Sequence, residues 1–210
     1  MSLRNPVRQR ILAFATEKFL REGFTKVTIE EIASELAISK KTFYKFFSDK
    51  DDLLDHVMEG VLARVRTKFA RILGSETNFI EKLSATMLFL AQEVSRFGRP
   101  MQVDLQRHAP EIWRRMETFR RQRITHHLSR LLDQGMKEGL VRSEINQRLF
   151  LLSYLGAVER IVQPSVLIEE SFSAREALQG IMRVFFHGIL TSEASRKLQH
   201  VQQHELSHLS

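Results

Sequence analysis

Between Thr28 and Leu53 the chain reads TIEEIASELAISKKTFYKFFSDKDDL, and few folds accommodate that order of caps, apolar positions and lysines. Thr28 followed three residues later by Glu31 is the pattern of a capping box that opens a short helix. Ile32, Ala33 and Leu36 supply its apolar side, with a small residue where two helices must come close. Ala37-Ile38-Ser39 reads as a turn, and Ser39 can cap the next helix. From Lys40 to Phe47 that helix divides in two. At 100° per residue Lys40, Lys41, Tyr44 and Lys45 fall within an arc of about 140°, while Phe43, Phe46 and Phe47 lie on the other side. Ser48-Asp49-Lys50-Asp51-Asp52 then suits the positive end of a third helix. A helix-turn-helix that lays a reading helix in a DNA groove needs this arrangement. The bland alternative is an ordinary surface helix carrying lysines.

The rest of the composition agrees with an all-α chain. Long Val/Ile/Thr alternations are missing, and among 210 residues there are only 9 Gly and 4 Pro to break helices. The net charge is +7, which favours a polyanionic partner. Residues 1–50 hold ten Lys/Arg against six Asp/Glu, so more than half of the excess sits where the motif lies. The chain has no cysteine, which excludes disulfides and thiolate zinc sites and fits a reducing, cytoplasmic setting. The N-terminal MSLRNPVRQRILAF has no long apolar run, and no window reaches eighteen apolar residues. Neither a signal peptide nor a membrane partner is expected.

The residues Ile32-Ala33, Ile38-Ser39-Lys40, Thr42-Phe43-Tyr44, Phe47, Lys50-Asp51 and Leu53 together resemble the TetR/AcrR family of bacterial transcription regulators. Val7 to Phe24 fits the family's first helix, with Ile11, Ala15 and Phe19 as a stripe and Gly23 as its C-cap. The resemblance is specific over about the first fifty-five residues; beyond them it rests on length and helical layout. It implies an N-terminal three-helix DNA-binding domain over residues 1–50, linked by a helix over 50–73 to a helical ligand-binding and dimerisation domain over 74–192. About nine helices are implied. Thr28, Thr42, Tyr44 and Lys50 match positions that hold phosphates, and Lys41, with Lys40 or Lys45, is assigned to base edges. The partner would be double-stranded DNA carrying a pseudo-palindromic operator. Three positions depart from the family pattern. Lys41 stands where glycine is common, and Phe46 where histidine or tyrosine often sits. Ala37 stands where the family usually has glycine, so the turn there is strained by roughly 1 kcal/mol or takes a negative φ.

Helical spacing predicts further elements up to Gly74, from Asn78 to Gly98, from Pro110 to about Glu138, over 146–163 and over 173–191, with a short segment from Met101 to His108. Ser173 with Glu176 is a second capping box. The last two core helices read LFLLSYLGAVERIV and ALQGIMRVFFHGIL. Gly156, Ala157, Gly180 and Gly188 would let helices approach closely, either inside a monomer core or in a four-helix homodimer interface. The resemblance favours the dimer.

Phe89, Phe97, Trp113, Met116, Phe119 and Tyr154 lie on segments that in this family surround a cavity for a small apolar effector. His108, Glu159 and Gln163, with Tyr154, would orient it. The alternative for each residue is plain core packing. His126-His127 reads as a partly exposed pair. The arginines at 114, 115, 120, 121 and 123 spread around their helix as a solvated surface. Residues 193–210 read as a polar His-rich tail, expected to fray. Its His204-Glu205-Leu206-Ser207-His208 matches the H-E-x-x-H zinc-hydrolase pattern, but lacks a downstream ligand or substrate wall. No cofactor, biological metal site or catalytic residue is expected. The leading expectation is a homodimeric repressor released from its operator by a small apolar effector. A regulator of the same fold without an effector, controlled by a protein or acting as an activator, is the alternative, and a zinc hydrolase the remote one.

Overall fold

The computed structural model describes residues 5–207, and the side chains of these except 164, 168 and 203–207. Eleven helices occur among them: α1 (Pro6–Glu22), α2 (Ile29–Glu35), α3 (Lys40–Tyr44), α4 (Lys50–Leu73), α5 (Phe79–Arg96), α6 (Arg99–His108), α7 (Pro110–Lys137), α8 (Gln147–Ile161), α9 (Pro164–Glu169), α10 (Ala174–Ile189) and α11 (Ser192–Ser207). The all-α class is as expected, but the count exceeds nine. Two of the added elements have visible causes. Pro164 opens α9, where its missing N–H costs nothing. The expected frayed tail is instead helix α11, because Ala194 and Leu198 are completely buried and anchor it. The segment 101–108 is likewise helical, and α3 stops at Tyr44 rather than reaching Phe47.

The chain divides into two compact units. The first takes residues up to Val65 and again Arg96–Thr118; the second takes Arg66–Ser95 and the chain from Phe119 onward. The units are therefore not consecutive stretches split near residue 74: α6 and the start of α7 group with the N-terminal helices.

The core of the first unit is built from Ile11, Ala15 and Phe19 of α1, Ile32 of α2, Phe43 of α3, Phe47, and Leu53, Leu54 and Met58 of α4, all at most 1 % exposed. Burying one such aromatic or aliphatic side chain is worth about 1.5–3 kcal/mol. Met101 and Leu105 of α6 join the same core, and Phe97, Trp113 and Met116 pack against it. Three polar links fix the end of α5 and α6 onto the end of α1 and the loop that follows it. Gly98 N–H donates to Leu20 C=O (2.7 Å), Arg96 pairs with Glu17 (2.9 Å), and Asp104 Oδ2 accepts from the Thr25 N–H and hydroxyl (2.8 and 2.7 Å). A Cβ at Gly98 would sit 2.6 Å from the Arg21 carbonyl oxygen, so only glycine permits this approach.

In the second unit Ser173 and Glu176 form the full capping box predicted for α10. The apolar stripe of α10 buries Ala177, Leu178, Ile181, Met182, Phe186 and Ile189 against α8. Phe150, Tyr154, Phe185 and Phe186 make one aromatic cluster there, with ring centroids 5.5–6.2 Å apart. Lys82, nearly buried, donates to the last carbonyl of α4 at Leu73 (3.2 Å) and to Gln134 Oε1 (3.3 Å), satisfying a helix end with a cation.

Candidate nucleic-acid interface

Each cap of the motif has a visible partner. Thr28 Oγ1 accepts from Glu31 N–H (3.1 Å) and opens α2. The reciprocal half of that box is replaced: the Glu31 carboxylate pairs with Lys18 of α1 (2.5 Å), which holds it below the usual carboxylate range. The α2 end closes as a Schellman turn, with Ile38 N–H on Ala33 C=O (2.9 Å) and Ala37 N–H on Ser34 C=O (3.0 Å). Arg10 Nη2 covers the Leu36 carbonyl (3.1 Å). This geometry forces Ala37 to φ +51°, so of the two readings of that turn the strained one holds. Replacing Ala37 by Gly is expected to raise unfolding stability by up to about 1 kcal/mol, the relieved left-handed strain less the greater freedom of the unfolded chain. Ala37→Val, β-branched at positive φ, should lower it. Denaturant midpoints at unchanged slope are the check.

Ser39 Oγ accepts from Thr42 N–H (3.0 Å) and opens α3. Phe43 then points inward, edge-on to Tyr44 and beside Phe47 at 5.5 and 5.7 Å. The Arg8 guanidinium lies over Phe47 at 5.1 Å. With the aromatic side anchored, α3 turns Lys41, Tyr44 and Lys45 to solvent, Tyr44 at 52 % exposure.

The remaining candidates are already engaged. Lys40 pairs with Glu30 of α2, whose hydrogen bond raises the lysine and lowers the acid from their usual values. Lys50 Nζ donates to the Thr25 and Val27 carbonyls (3.2 Å each), tying the α1–α2 loop to the start of α4 and leaving one of its three protons to give. The Thr42 hydroxyl shares a hydrogen bond with Ser39 (2.9 Å) and Thr28 is occupied as a cap. Arg8, Arg10, Lys18 and Asp104, which organise the motif, carry no local signature. The partners they meet there, Phe47, Leu36, Glu31 and Thr25, lie more than ten residues away along the chain.

The expected effector residues are divided between the two units. Phe97, Trp113 and Met116 belong to the first unit, half-buried against the motif's own core, and His108 is exposed there. Helix α6 draws them to that core, a contact invisible in local periodicity. Phe89, Tyr154, Glu159 and Gln163 lie in the second unit. Tyr154 is buried among phenylalanines, which pushes its phenol well above the usual range. Glu159 receives two hydrogen bonds from Arg121 (3.2 and 3.1 Å), so its place in an apolar helix reflects an α7–α8 ion pair. Gln163 Nε2 donates to the Glu159 carbonyl (2.7 Å).

One polar group was misread. His127 is 1 % exposed, not half-exposed, whereas His126 faces solvent. His127 continues the buried row Ile124, Leu128, Leu131, Leu132 and Gly135, at helical spacing. That row was a readable signal. Its ring stacks on Phe69 at 4.0 Å and 15°. Nε2 lies 2.8 Å from Thr86 Oγ1, and Nδ1 is buried without a partner among the described residues. Burial first, and the neighbouring His126 second, push its pKa down to about 4. Among the described residues no group of three potential metal ligands occurs. The H-E-x-x-H pattern falls on side chains outside them. No described helix is long and apolar enough to cross a membrane.

A helix-turn-helix with a solvent-facing basic α3, in a chain that also carries a second helical unit, is the make-up of a DNA-binding regulator. Residues 11–57 match the profile described as bacterial regulatory proteins, tetR family. Over 186 residues the chain is 27 % identical to an uncharacterized HTH-type transcriptional regulator, YvaF, of Bacillus subtilis, covering 88 % of this chain and 96 % of that one. A transcriptional regulator from Cytophaga hutchinsonii shares the fold at TM-score 0.69 and 18 % identity, over 89 % of this chain and 100 % of the other. Reduced NemR of Escherichia coli does so at 0.65 and 18 %, over 90 % and 98 %. Residues 11–57 thus carry the DNA-binding region of the tetR family, and the chain is similar over most of its length to transcriptional regulators.

Proposed function

We propose that this regulator is a cytoplasmic homodimeric repressor that leaves a pseudo-palindromic operator when a small apolar molecule enters its second unit. The observation that carries the dimer is the outer face of α8 and α10. Leu149, Leu152 and Val184 are 63, 62 and 72 % exposed, and Val184 also lines a groove of about 430 Å³ with Ala157, Ile161, Phe172 and Phe185 among others. Apolar surface of this kind asks for a partner. A second copy supplies the same face by two-fold symmetry and places two reading helices on two half-sites.

In this reading Lys41 and Lys45 reach base edges, while Tyr44, Thr28, Thr42 and the remaining proton of Lys50 hold phosphates. Lys40 must first leave Glu30, so its share is the smallest. Lys41→Ala is expected to cost about 1–3 kcal/mol on the preferred operator and to relax its sequence preference. Tyr44→Phe should weaken all sequences alike. Competition binding against a library of operator variants separates the two, and an unchanged preference after Lys41→Ala removes the base-reading role.

The chain crosses between its units at 65–66, 95–96 and 118–119, inside or beside α4, α5 and α7. An effector that prefers one arrangement of the second unit can act on the first through these three links. A coupling of about 1–3 kcal/mol weakens operator binding roughly 5- to 150-fold. A screen of apolar compounds against operator-bound protein is the test. If none releases DNA, the effector-free regulator takes this reading's place.

A further inference from the structure

The buried polar atom that the second unit leaves unused is His127 Nδ1. Its tautomer follows from its neighbours. Thr86 Oγ1 donates its single proton to the Lys82 carbonyl of its own helix (2.8 Å). The hydroxyl can therefore only accept from the imidazole, 2.8 Å away, so the ring proton sits on Nε2. Nδ1 is then a bare lone pair, buried and without a protein partner among the described residues. One face of the ring lies on Phe69, which itself meets Phe89 edge-on at 5.7 Å. An unpartnered acceptor beside an aromatic ring recognises a donor and offers nothing to an anion.

We infer that His127 is the polar anchor of the effector site: its Nδ1 accepts a hydrogen bond from an uncharged, mostly apolar ligand that carries one hydroxyl or N–H group. This rests on the reading that the second unit binds an effector, and it adds the ligand's chemistry. It also moves the anchor from Tyr154 and Glu159, both committed to packing or pairing, to a residue whose acceptor is open.

The test uses the full-length protein with ¹⁵N-labelled histidine and two probes, 4-octylphenol and its methyl ether. They match in apolar bulk and differ in one donor. The expected result is that the phenol binds at least about tenfold more tightly and shifts the His127 Nδ1 resonance toward a hydrogen-bonded nitrogen, while the ether leaves it unmoved. His127→Phe keeps the stack and should bring phenol binding down to that of the ether. Equal binding of both probes, a bound phenol with Nδ1 unmoved, or no binding of either overturns the inference. So does an Nδ1 already hydrogen-bonded in the ligand-free protein, which would make it a site for buried water. Operator release by some other apolar compound in the screen would leave the effector reading standing in each of these cases.

Discussion

Gly156→Leu combined with Gly188→Leu is expected to leave the chain folded and to abolish its dimer. A Cβ at either position meets nothing within 4 Å inside one chain, so the substitutions cost no internal packing. Leucine should even favour each helix by about 0.8 kcal/mol over glycine. Only a second copy seated on α8 and α10 would feel the added bulk. Sedimentation should then show a monomer at native helicity. Operator affinity should fall by about two orders of magnitude or more, because two linked half-site contacts become independent ones. If the unsubstituted chain already sediments as a well-folded monomer when dilute, or the variant remains a tight dimer, this interface is wrong.

The second large effect concerns acid. The folded-state pKa of His127 is depressed to about 4, against about 6.5 in an unfolded chain. The unfolded state therefore takes the proton first as pH falls. The stability tied to the neutral imidazole is complete above about pH 6.5 and is lost progressively toward pH 4. Between roughly pH 7.5 and 4.5 the loss should be about 2–3 kcal/mol. Carboxylates add their own slopes, so the quantity to measure is the difference between the unsubstituted chain and His127→Phe by urea unfolding at both values. Two parallel pH profiles would mean that the imidazole titrates normally in the folded state. The same substitution removes a buried acceptor without a partner, which otherwise costs about 1–3 kcal/mol.

His127 also shows how legible the molecule was. Its position in the row Ile124, Leu128 and Leu131 is visible in the sequence, but an imidazole beside a second histidine reads as half-exposed when residue type is set above spacing. Where cause is local, reading was direct: the Thr28 and Ser39 caps, the Ser173 box, the basic arc of α3 and the breaks at Gly74 and Gly139 all follow from neighbours within five residues. Where cause is distant it failed. Nothing near Phe97, Trp113 or Met116 announces that Gly98 and Asp104 clamp α6 to the end of α1 and draw those side chains against the motif's core. Glu159 in an apolar helix reads as a ligand contact until Arg121, thirty-eight residues away, occupies it. Helix α11 looks polar throughout because two buried side chains, Ala194 and Leu198, suffice to seat it.

The central claim is that α3 reads DNA sequence as one of a symmetric pair. Selection of duplexes from a random pool by the full-length chain, followed by stoichiometry and salt titration on the winners, tests it most directly. The winners should be inverted repeats bound by an even number of chains per duplex, with log affinity that falls linearly with the logarithm of salt concentration as lysine–phosphate contacts release counterions. A pool that enriches no repeat, or binding equally tight to random DNA, would contradict it.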